Sequence, residues 1–124
     1  MAVSTINETQ VIKPTFNTSL FKGYGGASYQ EPQLFVRNGI ATLIGMVSPI
    51  AQLTAADGQL ICTIPEGFRP RREMHSIQQG SGVNRWDCVL TVDGKVSLQR
   101  YSNSTSAQTV PAGAYLPFNI TYVI

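Results

Sequence analysis

Two pairs of turn residues, each flanked by runs of alternating apolar and polar residues, constrain the fold of this 124-residue chain most strongly. In "QLFVRNGIATLIGMV" the pair is Asn38-Gly39, and in "RWDCVLTVDGKVSLQR" it is Asp93-Gly94. Alternation at every second residue is typical of a half-buried β-strand, and both pairs accept the positive φ angles of a tight type I′ turn. Each stretch therefore predicts a β-hairpin.

The rest of the chain continues this pattern. In the final stretch, "AYLPFNITYVI", apolar residues that share one face alternate to the last residue: Leu116, Phe118, Ile120, Tyr122 and Ile124. Pro117 places that strand at a sheet edge or next to a bulge. No segment has convincing helical periodicity, and the turn-separated runs amount to about seven strands, the spacing expected of an antiparallel β-sandwich or barrel. The fold class predicted from the residues is therefore all-β.

The first residues differ from the rest because they are polar and rich in Thr and Asn, with isolated apolar residues such as Ile12 and Phe16. This composition predicts an extended N-terminal arm over residues 1–21 that becomes ordered only against a partner, such as a neighbouring subunit. The sandwich domain is then expected over residues 22–124. Deleting the arm is expected to leave the sandwich folded.

The chain carries few charges. Charged residues make up 13% of it, about half the ~25% of an ordinary soluble domain, and interface cores are depleted in charge. We therefore expect a homo-oligomer. The net charge of +2 is too small to indicate a nucleic-acid partner. No apolar run approaches the ~20 residues of a membrane span, and the N-terminus lacks a secretion signal, so we expect no membrane insertion and release only by lysis.

Catalytic and metal-binding motifs are missing from the sequence. The one histidine, His75, argues against a metal site built from imidazoles, and neither a Gly-x-Ser-x-Gly elbow nor a phosphate-binding glycine motif is present. The seven carboxylates form no spaced pair, although a sheet could bring Asp87 near Glu73. Cys62 and Cys88 are expected to be small buried residues rather than a disulfide or a metal site. We therefore expect no enzymatic activity, no metal and no cofactor.

One loop motif carries a resemblance to a known family. "IPEGFRP" at 64–70, followed by the strand pair around Asp93-Gly94, resembles the head domain of tailed-bacteriophage receptor-binding and baseplate proteins, of the lactococcal-phage type. "YGG" at 24–26 and "NGIATLIGMV" at 38–47 resemble the opening of the same domain, so that the likeness runs from about residue 22 to 124. It implies a jelly-roll β-sandwich that assembles as a trimer around a three-fold axis.

The same motif predicts the structure of its loop. Pro65 and Pro70 bracket a turn, and Gly67 permits an unusual backbone angle. Phe68 is placed to plug the end of the sandwich, and Arg69 to make a structural contact. The remaining two arginines, Arg71 and Arg72, are expected to meet solvent. The loop is therefore predicted to be mainly a corner of the fold.

The resemblance implies a virion protein that binds host-cell-surface saccharide at the tail tip without chemistry. Members of the family usually carry a long shoulder, coiled coil or shaft before the head, whereas here only the short arm precedes it. The alternative is therefore a capsid-decoration or baseplate structural protein with the same fold, docked by its arm to other virion proteins. Fold analogy does not separate these roles.

Sugar binding needs an aromatic plate beside planar polar groups, and the best local cluster is "NRWDC". Alternation with Cys88 favours a core position for Trp86 over a platform, which leaves Arg85 and Asp87 facing outward. The candidate ligand-binding residues are His75, Arg85, Trp86, Asp87 and Tyr101, with Tyr24 and Tyr29 as further possibilities.

Overall fold

The computed structural model describes residues 8–54, 58–103, 106–107 and 109–124. Within these ranges the chain forms eleven β-strands and two single 3-10 turns, Tyr24–Gly26 and Ser28–Gln30. Every strand pair in this part of the chain is antiparallel. The predicted all-β class is confirmed. No helix in the same ranges is long and apolar enough to cross a membrane.

Sheet A follows the strand order β1-β4-β5-β11, with β3 also paired to β5. Its strands are β1 (Gln10–Ile12), β3 (Phe21–Gly23), β4 (Gln33–Arg37), β5 (Ile40–Pro49) and β11 (Leu116–Val123). The β4–β5 turn has positive φ at both Asn38 and Gly39, 52° and 76°, which confirms the predicted type I′ turn. β11 lies at the end of the sheet order, and this agrees with the edge position predicted from Pro117.

Sheet B follows the order β2-β6-β9-β8-β7, with β10 paired to β9. Its strands are β2 (Thr15–Phe16), β6 (Gln59–Thr63), β7 (Met74–Gln79), β8 (Arg85–Leu90), β9 (Lys95–Asn103) and β10 (Ser106–Ala107). The predicted β8–β9 hairpin is confirmed, but the prediction that its turn is of type I′ is wrong. Only Gly94 has a positive φ there, and the Gly94 amide donates to the Thr91 carbonyl at 2.9 Å, so the turn is longer and ends in a left-handed glycine.

The two sheets pack face to face around one apolar core. Trp86 of sheet B is 1% exposed, and its ring meets that of Phe118 of sheet A edge-to-face, with the centroids 5.8 Å apart. Cys62 and Cys88 are buried free thiols, as the sequence predicts. Burial raises the pKa of the Cys88 thiol to about 12. Trp86 is therefore a core residue, the position that strand alternation favours.

The described part of the predicted arm, residues 8–21, lies against its own domain. β1 pairs with β4 of sheet A, and β2 pairs with β6 of sheet B. The Asn17 amide donates to the Ile61 carbonyl at 2.8 Å, and Phe21 is fully buried in the core. The domain boundary expected after residue 21 thus falls inside β3, because the spaced apolar residues of this segment contribute to the core. Residues 1–7 of the predicted arm lie outside the described residues.

The 64–70 loop is a corner of the sandwich, as predicted. Arg69 Nε donates to the Ile64 carbonyl at 2.8 Å, and the Tyr122 hydroxyl donates to the Phe68 carbonyl at 2.6 Å. Phe68 itself packs against the core, while Arg72 is exposed. These contacts close the end of the sandwich over the β8–β9 turn.

Candidate functional site

Four charged side chains meet on the outer face of sheet B, where β7, β8 and β9 lie side by side. We call them the charged cluster: Glu73, His75, Asp87 and Arg100. The register places Asp87 opposite Ile77 on β7 and opposite Gln99 on β9. The sheet therefore brings Asp87 and Glu73, which are 14 positions apart in sequence, to the same histidine.

Asp87 lies at the centre of the charged cluster. Its Oδ2 accepts hydrogen bonds from Arg100 Nη1 at 2.6 Å and from His75 Nδ1 at 2.8 Å. Its side chain is only 5% exposed because β8 is an inner strand and both neighbours cover it. Asp87 thus lies on the outer face of the sheet, as predicted, but its carboxylate is not open to solvent. Its Oδ1 is buried and has no hydrogen-bond partner among the described residues.

The imidazole of His75 lies between two carboxylates. Its Nδ1 faces Asp87, and its Nε2 lies 2.9 Å from Glu73 Oε2. Ionised carboxylates only accept hydrogen bonds, so both contacts are satisfied together only when both ring nitrogens carry hydrogen. The bonds to Asp87 and then Glu73 accordingly raise the pKa of His75 above its ordinary value of 6.5.

Arg100 enters the charged cluster through a β-bulge. From Arg85 to Asp87 the register advances two residues on β8 but three on β9, from Ser102 to Gln99, so β9 carries one extra residue. Arg100 takes a φ of 52° there, a left-handed conformation that costs roughly 1–2 kcal/mol for a residue with a Cβ. The bulge turns the guanidinium outward onto Asp87, and sequence patterning does not reveal it.

The other candidate residues are placed apart from the charged cluster. Arg85 is exposed on the same face of β8, opposite Gln79. Trp86 lies in the core, so it provides no platform for a ligand. Tyr29 is exposed in the second 3-10 turn and borders strands β4 and β5 of sheet A. Of the candidates predicted from the sequence, His75 and Asp87 are therefore the two in direct contact.

Tyr101 follows the bulge and points to the inner side of sheet B, where it is buried. Its hydroxyl oxygen accepts a hydrogen bond from Asn84 Nδ2 at 2.9 Å. Burial raises the pKa of this phenol, and the bond from Asn84 partly offsets the effect. Tyr101 and Asn84 border a groove at one end of the sandwich that Tyr24 and Tyr115 also line. Asn84 and Tyr115 are absent from the sequence-based candidates because turn residues lack a periodic pattern.

The neighbours of the charged cluster show which of its groups remain open to a ligand. Ser76, the hydroxyl next to His75 in sequence, faces the other side of β7, where its Oγ accepts a hydrogen bond from Gln78. Within the ranges that the structure describes, no group of three His, Cys, Asp or Glu side chains is arranged to hold a metal ion. The groups of the cluster that remain open to a ligand are the Glu73 carboxylate, which is 58% exposed, and the Arg100 guanidinium, which is 67% exposed.

No protein-family model and no curated protein sequence matches this chain. The resemblance to phage head domains therefore stays a prediction that rests on the motifs at 64–70 and 93–94. Functional assignment depends on the chemistry of the described surfaces.

Proposed function

We propose that the chain is a bacteriophage virion protein whose jelly-roll-type sandwich assembles as a homotrimer and binds host-cell-surface saccharide at the tail tip without chemistry. The observation that carries this proposal is the charged cluster, in which His75 and Asp87 hold two exposed planar groups, the Glu73 carboxylate and the Arg100 guanidinium, on the face of an antiparallel sheet. Planar donors and acceptors of this kind pair with the neighbouring hydroxyls of a sugar.

The geometry of His75 supports binding over catalysis. A general base needs a free ring nitrogen within reach of the proton that it removes. In the charged cluster both nitrogens of His75 are held by carboxylates, at 2.8 and 2.9 Å. An imidazole in this setting is a fixed structural group that orders the carboxylates beside it.

The outer face of sheet A supports the homotrimer. Its exposed large apolar side chains are Val11, Ile40, Ile44 and Val123. Only two charged residues, Lys22 and Arg37, lie in the five strands of sheet A. An apolar, nearly uncharged face of this kind is typical of a surface that other copies cover. The N-terminal segment would then contact other virion proteins, as the sequence analysis predicts for the arm.

The test is binding of purified protein to an array of bacterial surface polysaccharides, with alanine variants of the candidate residues. His75→Ala should weaken binding because Glu73 loses the group that orders it, and Arg85→Ala because one lost hydrogen bond to a charged group costs roughly 1.5–3 kcal/mol. Multivalent display amplifies both losses. Asp87→Asn is preferred to alanine at the buried position since it keeps the shape of the side chain. Lys95→Ala removes an exposed positive charge at the start of β9, outside both the charged cluster and sheet A, and is the matched control.

The competing role is capsid decoration or baseplate structure with the same fold. It predicts that the protein binds none of the polysaccharides and that capsids or baseplates lacking it take it up from solution. Immunogold labelling of intact virions separates the two roles, since saccharide binding requires label at the tail tip. Label spread over the capsid would replace the receptor-binding proposal by decoration.

A further inference from the structure

A groove of about 290 Å³ lies at one end of the sandwich, away from the charged cluster. Three short segments form it together with β9: the 3-10 turn Tyr24–Gly26, the β7–β8 turn and the loop that precedes β11. Its lining residues are small, aromatic or amide-bearing: Tyr24, Ser81, Asn84, Tyr101, Pro111, Ala112, Gly113, Ala114 and Tyr115. We call it the tyrosine groove.

Two aromatic rings form one wall of the tyrosine groove. Tyr24 and Tyr115 meet edge-to-face, with the ring centroids 5.1 Å apart and an interplanar angle of 73°. This contact fixes both rings, since aromatic pairs favour such T-shaped geometry. Tyr24 remains 39% exposed. An apolar ring face is therefore presented to a ligand at little cost in side-chain entropy.

Polar groups line the groove beside these rings. Asn84 Nδ2 donates to the Tyr101 hydroxyl at 2.9 Å. An amide nitrogen can only donate, so this bond uses a lone pair of the phenol oxygen and leaves the phenol hydrogen for another acceptor. Asn84 Oδ1 remains a potential acceptor. The groove thus combines an apolar ring surface with a donor and an acceptor fixed by one hydrogen bond.

The backbone around the groove is held in place. The Gly80 amide donates to the Asn84 carbonyl at 2.7 Å, and the Gly113 amide donates to the Pro49 carbonyl at 2.9 Å. A Cβ built on Gly80 would lie 3.4 Å from the Tyr115 carbonyl oxygen, so the β7–β8 turn and the loop before β11 pack closely. The groove is therefore preformed, and a preformed site lowers the entropic cost of binding a ligand.

Charge and size define the ligand. None of the nine lining residues is charged at neutral pH, so a phosphate or carboxylate would enter without a partner for its charge. The volume lies at the lower end of the ~300–1,000 Å³ of small-molecule sites and suits one ring. We propose that the tyrosine groove is a binding site for a single uncharged, hydroxyl-rich ring, such as one neutral monosaccharide unit. This inference goes beyond the proposed function, because a ring bound in the tyrosine groove contacts no residue of the charged cluster.

The experiment is a titration of the full-length ¹⁵N-labelled protein with methyl glycosides of glucose, galactose and N-acetylglucosamine, followed by amide chemical shifts. At least one glycoside should shift the amide signals of Asn84, Gly113 and Tyr115 in a saturable way. Glucose 6-phosphate, which is charged, and glycerol, which lacks a ring, should leave them unchanged. The dissociation constant should rise about tenfold or more in Tyr24→Ala, because the exposed ring face is lost.

Tyr29→Ala is the matched control, because it removes an exposed tyrosine that does not line the groove. His75→Ala separates the two proposals, since it should weaken polysaccharide binding yet leave the groove titration unchanged. If the amide spectrum of Tyr24→Ala shows that this variant is unfolded, Asn84→Ala is used for the same test. The proposal is overturned if no glycoside shifts the groove amides, if glycerol shifts them equally, or if the shifts map to β7–β9 instead.

Discussion

Replacing Gly94 by alanine tests how the 64–70 corner is held against the β8–β9 turn. Gly94 has a φ of 85°, and a Cβ built there would lie 2.5 Å from the Ile64 carbonyl oxygen and 2.6 Å from Arg69 Nε. Both atoms belong to the hydrogen bond that closes the corner, from Arg69 to Ile64 at 2.8 Å. The methyl group of alanine would therefore occupy the space that this bond now uses.

The expected cost has two parts. The left-handed backbone strains any residue with a Cβ by roughly 1–2 kcal/mol. Displacing the guanidinium also removes a hydrogen bond made by a charged group, which contributes roughly 1.5–3 kcal/mol. Gly94→Ala should thus lower the free energy of unfolding by roughly 2.5–5 kcal/mol, a large share of the roughly 5–15 kcal/mol of an ordinary domain.

Gly39→Ala is the matched control. Gly39 has a similar φ of 76°, but a Cβ built there meets no atom within 4 Å. Only the backbone strain applies, so its cost should stay near roughly 1–2 kcal/mol. The difference between the two variants isolates the crowding of the corner.

Urea unfolding followed by Trp86 fluorescence measures both variants, since this single tryptophan is buried in the core. The protein concentration must be the same throughout, because assembly changes apparent stability. With a urea dependence of about 1–3 kcal/mol/M, the Gly94→Ala midpoint should lie on the order of 1 M below that of Gly39→Ala. Equal midpoints would refute the reasoning, since the corner would then tolerate a methyl group at Gly94.

The remaining predictions concern assembly, pH, the N-terminal segment and the corner. Ile44→Asp on sheet A should dissociate the proposed homotrimer, while Ile77→Asp on sheet B should not. A stable 13.5 kDa species of the unmodified chain in analytical ultracentrifugation would contradict the proposed assembly. The raised pKa of His75 predicts stabilisation that is complete below pH 6.5 and is lost as pH rises through the folded-state pKa of His75. A pH-independent difference in unfolding free energy between the native protein and His75→Gln would argue against this. Deleting residues 1–21 should abolish cooperative unfolding, because the core loses Phe21. A preserved unfolding transition of Trp86 fluorescence would instead mean that the sandwich folds without this segment. Tyr122→Phe should cost roughly 1–3 kcal/mol in the same urea assay, because the Phe68 carbonyl loses its donor, whereas an unchanged midpoint would mean that water replaces it.

Strand alternation and turn chemistry are local properties, and the sequence by itself determined what depends on them. Positive φ at Asn38 and Gly39 requires residues that tolerate it, so this pair of residues is enough to predict the first hairpin. Alternation likewise placed Trp86 in the core and the apolar residues of β11 on one face. The all-β class and both hairpins follow from these local preferences.

Contacts between distant strands were decided only by the tertiary structure. Alternation from Val96 and Leu98 would send Arg100 into the core and Tyr101 outward, but the bulge on β9 reverses both. The bulge carries no sequence pattern, because Arg100 has none of the usual preference for a left-handed conformation. His75 meets Asp87 because β7 and β8 pair in one register, and a shift of one residue would send the Asp87 side chain to the opposite face. The charged cluster is thus a product of pairing register, which composition and local propensity do not encode.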